Sequence, residues 1–447
     1  MTLLKPDLRH DYPVASHASG ARIVATDGRT FIDGASGAIA CSIGHGNAHV
    51  RAAVDDQLAR VAFVYRTQFA NEPAERLARR LCDRLGYGAA FFVNSGSEAV
   101  EAATRIAQAF WRERGRPQKS RILSRRLSYH GATSGALALS GHWPRRRMVG
   151  PLVGEPTLPT PHCFRCPLGR RPHSCELACA GELERQIAQT GADNIAAVLV
   201  EPIVGASGAA IVPPAGYLRR LREICDRHDI LLVADEVLTG LGRTGRWLAM
   251  EHGGVAADIV CLGKGLNAGY LPISGVLVSD AVHGTLRNGS GHFPLGHTHS
   301  NHPVAAAAAN AVLDVIEDEG LVERAAEVGA RIGTRLSALA HEHAIVGDVR
   351  GVGMLWGLEL VRDDVGFAPF DPSLAAAERV VAAAFDLGLL LYPSAGFAAD
   401  RGGDAVIFAP PLNAADADIE EAVRLLDTAL AHAAKSLTQR KEMHDAA

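Results

Sequence analysis

The sequence predicts an α/β fold in which helices surround a mostly parallel sheet. Two runs carry this prediction, Ile230–Ala234 and Asp258–Leu262. Each is short and largely apolar and ends in polar or glycine residues, as expected of a buried parallel strand. The first run ends in Asp235-Glu236 and the second in Gly263-Lys264-Gly265. Because ligands of open α/β sheets bind beyond the carboxyl ends of the strands, we expect Asp235 and Lys264 in one crevice.

Length and composition set broad limits. At 447 residues the chain is long for one compact domain, so a large domain and a smaller one are expected. Hydrophobic residues make up 48% and charged residues 21%, which suits a globular core. The formal net charge of −4 provides no basic surface for nucleic acid.

The sequence gives no sign of a membrane or secretory protein. The apolar run Val304–Asn310 is too short to span a membrane, and the N-terminal segment lacks the apolar core of a signal peptide. Four of the eight cysteines are scattered singly, which fits a reducing compartment. We therefore expect a cytoplasmic protein.

The first part of the chain contains a phosphate-site pattern. Ahead of it, the sequence predicts two short strands around Asp27-Gly28 and helices over 49–60 and 73–85. A strand, Ala89–Val93, then leads through Asn94-Ser95-Gly96-Ser97 into a long helix that begins around Glu98. Small residues there let the backbone approach an anion, which free N–H groups and the helix dipole attract, so Gly96 and Ser97 are candidate ligands. The alternative is that Ser97 is an ordinary N-cap.

Two further strands precede polar residues. Arg121–Leu127 is predicted as a basic strand that leads into Ser128-Tyr129-His130-Gly131. The run Ile195–Val200 is followed by Glu201, whose carboxylate is expected at the ligand edge of the sheet.

A cysteine-rich segment lies between them. Cys163, Cys166, Cys175 and Cys179 form a C-x2-C-x8-C-x3-C pattern, and four thiols could hold zinc or an iron–sulfur cluster. The alternative is an insertion loop whose cysteines are reduced or paired. Because the spacing is not a standard zinc pattern, the predicted site contains no metal.

Asp235 and Lys264 together match the needs of one cofactor, pyridoxal phosphate (PLP). PLP requires a lysine for a Schiff base and a carboxylate that holds its pyridinium nitrogen. The stretch DEVLTGLGRTG from Asp235, followed by Lys264-Gly265, resembles the class III aminotransferases, the ω-transaminase branch of the fold type I PLP enzymes. The resemblance extends from about Gly20 to about Asn413.

The resemblance implies a domain plan. It implies a large PLP-binding domain with a mostly parallel sheet wrapped by helices, over residues 51–320. A smaller α+β domain would combine residues 1–50 and 321–447.

The resemblance also implies cofactor contacts. Lys264 and Asp235 would be catalytic, and Gly96 and Ser97 would hold the phosphate. Other contacts are implied for a stacking Tyr129, a hydrogen-bonding His130, Glu201, and Val237 beneath the pyridine ring, where a core valine is the alternative.

Three residues are implied at the edge of the site. Thr298 would bind the phosphate of the PLP that is held by the neighbouring subunit, which makes the enzyme a homodimer. Ile39 would line the substrate pocket or simply pack in the core. Arg401 would bind a substrate carboxylate, or it is a surface arginine.

The implied activity is transfer of an amino group from an amine or ω-amino acid to a keto acid. Relatives that use 2-oxoglutarate often have a second Glu five residues after Glu201, where this chain has Ala206. Pyruvate is therefore favoured over 2-oxoglutarate as the acceptor. Another class III PLP reaction, by a racemase, aminomutase or decarboxylase, is the alternative.

Overall fold

A computed structural model describes residues 3–147, 149–150, 152–293, 295–363, 366–398 and 402–445, the last eight of these by backbone only. Its strands are β1 Ala15–Ser19, β2 Arg22–Ala25, β3 Thr30–Asp33, β4 Ala89–Val93, β5 Arg121–Leu123, β6 Ile195–Val200, β7 Leu231–Asp235, β8 Ile259–Leu262, β9 Ser274–Val278, β10 Val346–Val352, β11 Leu355–Leu360, β12 Leu389–Leu390, β13 Tyr392–Ala395 and β14 Asp404–Phe408. Its helices are α1 Ser36–Ile39, α2 Ala48–Arg60, α3 Glu72–Leu85, α4 Gly96–Glu113, α5 Ser134–Leu139, α6 Trp143–Arg146, α7 Ala178–Thr190, α8 Tyr217–Arg227, α9 Asp280–Asn288, α10 Pro303–Asp318, α11 Leu321–Glu342, α12 Ala376–Asp386 and α13 Asp416–Asp445.

A six-stranded sheet forms the centre of the large domain. Its strand order is β4-β9-β8-β7-β6-β5. Strands β5 to β8 are parallel, whereas β9 is antiparallel to both β8 and β4. It follows that β4 runs in the same direction as β5 to β8, so five strands end at one edge. The predicted mostly parallel sheet is confirmed, with β9 as its exception.

Both faces of this sheet are covered, which explains why its strands are apolar throughout. Side chains alternate between the two faces of a strand. In β7, Leu231 and Val233 pack in the cluster that contains α4, whereas Leu232 and Ala234 pack in the cluster that contains α7 and α8. The sheet is therefore a rigid support for the residues that follow its strand ends.

Two smaller sheets bring the ends of the chain together. One has the order β1-β2-β3-β12 and the other β10-β11-β14-β13. In the first, β3 near the N-terminus pairs in parallel with β12, which lies more than 350 residues later. These sheets fit the expected smaller α+β domain, while the boundaries at 50 and 320 stay a prediction.

The predicted strand Arg121–Leu127 was too long, since β5 ends at Leu123. After Leu123 the backbone leaves β6 and pairs with another segment: Leu158 N donates to Ser124 O at 3.0 Å and Arg126 N donates to Leu158 O at 2.8 Å. The buried guanidinium of Arg125 donates to the carbonyl oxygen of Glu201. This tertiary pairing ends the strand four residues early.

In the described part of the chain, no helix has both the length and the apolar character needed to cross a lipid bilayer.

Candidate active site

The strand ends of the large sheet bring the predicted polar residues to one edge. Asp235 is the last residue of β7, and Lys264 follows β8 by two residues. Glu201 comes directly after β6. The turn after β4 leads into α4 at Gly96 on the same edge. Residues far apart in sequence therefore meet because their strands are neighbours or run in the same direction.

Asp235 is held in a fixed orientation. Its side chain is buried, at 5% exposure, and its Oδ2 lies 2.7 Å from Nδ1 of the buried His130. Its Oδ1 accepts a hydrogen bond from Val237 N at 3.1 Å. Since an ionised carboxylate has about four lone-pair positions, Asp235 keeps acceptor capacity for a further N–H group. His130 thus holds this carboxylate, while its contact with the cofactor stays a prediction.

Lys264 has an unusual backbone and a perturbed amine. Its φ of +41° lies in the left-handed region, which is uncommon for a residue with a side chain and clusters at functional sites. Its Nζ donates to Ala38 O at 2.8 Å. Burial, followed by the positive charge of Arg145, lowers the pKa of Lys264 to about 8. About one tenth of this amine is therefore neutral at pH 7, far more than at the ordinary lysine pKa of 10.5.

The start of α4 forms a tight cradle of small residues. A Cβ on Gly96 would lie 2.9 Å from Val237 Cγ1, and one on Gly131 would lie 2.5 Å from Ser97 Oγ. Ser97 Oγ accepts a hydrogen bond from Ala132 N at 3.0 Å. These close approaches leave room for backbone but not for larger side chains.

The alternative that Ser97 is an N-cap is wrong. Ser95 is the N-cap of α4, and its side chain accepts a hydrogen bond from Glu98 N. The helix begins at Gly96, two residues before the predicted start. Ser97 therefore lies in the first turn, where backbone N–H groups have no partner within the helix and can bind an anion.

Glu201 positions Tyr129. Tyr129 N donates to Glu201 Oε1 at 3.0 Å, and Gly205 N donates to Glu201 Oε2 at 2.8 Å. Burial raises the pKa of Glu201. The guanidinium of Arg145 lies 3.8 Å from the centre of the Tyr129 ring, so a cofactor ring would stack on the other face or displace Arg145.

These residues fit PLP, the cofactor that the sequence resemblance implies. Lys264 offers an amine of lowered pKa, Asp235 a fixed carboxylate, and the first turn of α4 an anion site beside small residues. His130 Nε2 is buried and has no hydrogen-bond partner among the described residues. A polar cofactor bound at this edge of the sheet would bring polar groups close to His130 Nε2.

The three predicted edge residues are less well defined. Ile39 is only 2% exposed and packs in an apolar cluster with Ile203 and Phe397, which favours the core-packing alternative for it. Thr298 is exposed on this single chain. Arg401 lies outside the described residues. Their contacts with substrate or with a partner's phosphate stay predictions.

The sequence analysis missed two residues, Arg145 and Tyr392. Arg145 Nη2 donates to Tyr392 Oη at 3.0 Å, which joins α6 to β13 across 247 positions of sequence. The only local signal was the run Arg145-Arg146-Arg147 shortly after the Tyr129 motif. A basic run does not reveal which of its members faces a site.

The four clustered cysteines line one small pocket. All four are free thiols, and burial raises the pKa of Cys179 to about 11. Among the described residues, no three His, Cys, Asp or Glu side chains are arranged to hold a metal ion. The choice between metal binding and an insertion loop stays open.

Comparison with known proteins gives a consistent result. Residues 7–430 match the Aminotransferase class-III family. The chain is 44% identical to the uncharacterized aminotransferase YodT of Bacillus subtilis (strain 168), over 97% of this chain and 98% of the relative. It is 36% identical to the adenosylmethionine-8-amino-7-oxononanoate aminotransferase of Nitratidesulfovibrio vulgaris, over 92% of this chain and 76% of the relative. The fold is similar to a PLP-bound crystal structure of an amine transaminase from an uncultivated Pseudomonas species. The TM-score is 0.90 and the sequence identity 37%, over 97% of this chain and 98% of the other.

Proposed function

This chain belongs to the class III aminotransferases, which use PLP, and we propose that it moves an amino group from an amine or ω-amino acid to a keto acid. We further propose pyruvate, and not 2-oxoglutarate, as the favoured acceptor. The observation that carries the proposal is the meeting of Lys264, Asp235 and His130 at one edge of the sheet. The amine transaminase with the similar fold supports the donor class.

Lys264 and Asp235 have separate roles in this proposal. When bound, PLP supplies an electron sink for the negative charge that develops on the substrate carbon. Lys264 would hold the cofactor and, once its amine is free, would move the proton from that carbon to the aldehyde carbon of the cofactor. Its lowered pKa, about 8, supports this role because a base must be neutral to accept a proton. Asp235 keeps the ring nitrogen protonated, and His130 fixes the carboxylate for this task.

The remaining cofactor contacts follow from position. Gly96 and Ser97 would bind the phosphate through the first turn of α4, with Tyr129 against one ring face and Val237 against the other. Glu201 would keep Tyr129 in place through its backbone N–H. Gly96 packs directly against Val237, since a Cβ on Gly96 would lie 2.9 Å from Val237 Cγ1, and this contact keeps the first turn of α4 beside the valine.

We propose that the active enzyme is a homodimer in which Thr298 of each chain reaches the partner's phosphate site. Thr298 is exposed, and three apolar side chains of the segment 63–69 are also exposed, namely Phe63, Tyr65 and Phe69. The Phe63 ring lies 5.6 Å from the His299 ring, beside Thr298. An exposed apolar surface next to a site residue is the expected appearance of an interface seen on one chain. A cytoplasmic location fits the free cysteines.

The acceptor preference rests on Ala206. Its side chain is buried, and its carbonyl oxygen accepts a hydrogen bond from Ser394 Oγ at 2.9 Å. A methyl group has neither the charge nor the hydrogen-bond acceptors of the glutamate that relatives using 2-oxoglutarate often have at this position. The proposed pyruvate preference therefore has a local cause that can be tested by substitution.

A coupled screen of amine donors against pyruvate and 2-oxoglutarate tests the function. We expect amine and ω-amino acid donors to yield the aldehyde or ketone together with alanine. Formation of a racemised, rearranged or decarboxylated product without amination of the acceptor would instead identify a racemase, aminomutase or decarboxylase. Faster turnover with 2-oxoglutarate than with pyruvate would contradict the acceptor preference.

A further inference from the structure

We propose that Arg145 and the hydroxyl of Tyr392 bind the carboxylate of the substrate, in a subsite that rests on the aminotransferase function proposed above. The subsite joins α6 of the large domain to β13 of a smaller sheet. It would give the enzyme its selectivity for donors and acceptors that carry a carboxylate.

Arg145 is a half-buried cation, and within the described ranges its guanidinium has one hydrogen-bond partner. Its Nη2 donates to Tyr392 Oη at 3.0 Å, and its guanidinium lies 3.8 Å from the centre of the Tyr129 ring. In the described regions of the chain, no carboxylate lies within ion-pair distance of Arg145. Its neighbour Arg146 differs, because it donates to three carbonyl oxygens at the end of α5 and contacts Glu155 at 3.4 Å. Arg146 thus has a structural role that Arg145 lacks.

The unused donors of Arg145 suit a planar anion. A guanidinium has five N–H donors, and a carboxylate accepts two of them in parallel. Removing a cation partly from water costs free energy unless an anion is provided, and a bound substrate carboxylate would provide it. Tyr392 accepts from Arg145 through its oxygen, so its own O–H remains able to donate to the same carboxylate.

The strand that carries Tyr392 is fixed from several sides. Ser394 Oγ donates to Ala206 O at 2.9 Å, and His142 Nε2 lies 2.8 Å from Ala395 O. Burial lowers the pKa of His142 to about 4, so this imidazole is neutral and donates to the carbonyl. The hydroxyl of Tyr392 is therefore held in place before a ligand arrives, which reduces the ordering that binding requires.

Arg145 lies over the ring of Tyr129, whose backbone N–H is bound by Glu201 at the ligand edge of the sheet. Its charge is, after burial, the largest cause of the lowered pKa of Lys264. A substrate whose carboxylate binds at Arg145 would therefore have its other end near Lys264. An ω-amino acid, with an amine and a carboxylate at opposite ends, meets both requirements.

The first test compares two donors of the same chain length in the donor half-reaction of the holoenzyme. For Arg145→Gln we expect kcat/KM to fall about 10- to 100-fold with 5-aminopentanoate, mainly through KM, because a charge-assisted pair is lost. With pentan-1-amine, which has no carboxylate, kcat/KM should stay within about twofold when it is measured on the pH plateau, where a change in the pKa of Lys264 does not affect the rate. Arg147→Gln removes the same charge from an exposed neighbour and should leave both values unchanged. An equal loss with both donors would overturn the proposal.

The second test measures binding without turnover. By calorimetry, pentanoate should bind the Arg145→Gln holoenzyme about tenfold or more weakly than the wild type, and Tyr392→Phe should weaken binding less. Arg145→Lys keeps the charge and should recover part of the pentanoate affinity. It replaces Arg145→Gln in this test if that variant does not fold. Equal pentanoate affinity in the wild type and in a folded Arg145 variant would overturn the subsite. Because pentanoate does not react, its binding tests the subsite even if the wild type transfers no amine.

Discussion

The cofactor side and the substrate side of this active site are built in different ways. On the cofactor side, Lys264, Asp235 and Glu201 follow neighbouring strands of one sheet that is covered on both faces. On the proposed substrate side, Arg145 and Tyr392 come from separate segments and meet through one hydrogen bond. The difference suggests that the reaction is set by one rigid element, whereas substrate choice depends on several segments that can change independently.

This comparison makes a general prediction. Changes on the cofactor side should reduce the turnover of all substrates alike. Changes on the substrate side should alter one substrate relative to another, as expected for Arg145→Gln. A cofactor-side variant that discriminated strongly between donors would break the distinction.

The largest effect is expected for Lys264→Ala. Loss of the amine that holds the cofactor and moves the proton should reduce kcat by on the order of 10⁴-fold with every donor. The measurement is the rate of the donor half-reaction. Lys119→Ala is the matched control, because Lys119 is also buried but donates to the carbonyl oxygens of Ala192 and Asp229, away from the site. A Lys264→Ala enzyme with normal rates would contradict the assignment of this lysine.

A smaller effect is expected for Asp235→Asn. An amide cannot hold the ring nitrogen in its protonated form, so kcat should fall by about 10²- to 10³-fold for amine and ω-amino acid donors alike. Glu236→Gln is a neighbouring control. Burial raises the pKa of Glu236 to about 7, and its carboxyl group contacts Thr239 Oγ1 and Met250 N and does not contact His130. Glu236→Gln should alter thermal stability more than kcat. A large loss of kcat in Glu236→Gln and a small one in Asp235→Asn would show that Glu236, and not Asp235, holds the ring nitrogen.

The smallest effect is the dependence on pH. The pKa of Lys264 is lowered from 10.5 to about 8, and the base acts only when it is neutral. The rate of the donor half-reaction should therefore rise with pH, reach half of its maximum near pH 8 and level off about one pH unit above that midpoint. At pH 7 it should lie about tenfold below the plateau. The midpoint should be the same for 5-aminopentanoate and pentan-1-amine. In Arg145→Gln the midpoint should move to higher pH, since a nearby positive charge is removed. A midpoint that does not move would show that the charge of Arg145 does not lower the pKa of Lys264.

Much of the large domain could be predicted from the sequence because its signals are local. The strands Ala89–Val93 and Ile195–Val200 have the predicted bounds, and the helices predicted over 49–60 and 73–85 each begin only one residue earlier. Their apolar runs and spacing depend on burial, which the sequence records directly. The same local signals placed Asp235, Lys264 and Glu201 at strand ends.

Other features depend on contacts between distant segments. The end of β5 at Leu123 follows from pairing with Leu158, and the orientation of β9 follows from its place between β4 and β8. The direction of Arg145 depends on Tyr392. None of these partners can be identified from residue types or spacing along the chain, which explains why the substrate side was predicted less well than the cofactor side.

The most direct test of the central claim is to identify the lysine that holds the cofactor. Borohydride converts the linkage between PLP and a lysine into a stable secondary amine, which peptide mass mapping can locate. The sequence has five lysines, Lys5, Lys119, Lys264, Lys435 and Lys441. We predict that the phosphopyridoxyl group is found on Lys264 alone and that the Lys264→Ala protein carries none. A label on another lysine, or a purified protein that takes up PLP without any label at Lys264, would contradict the account.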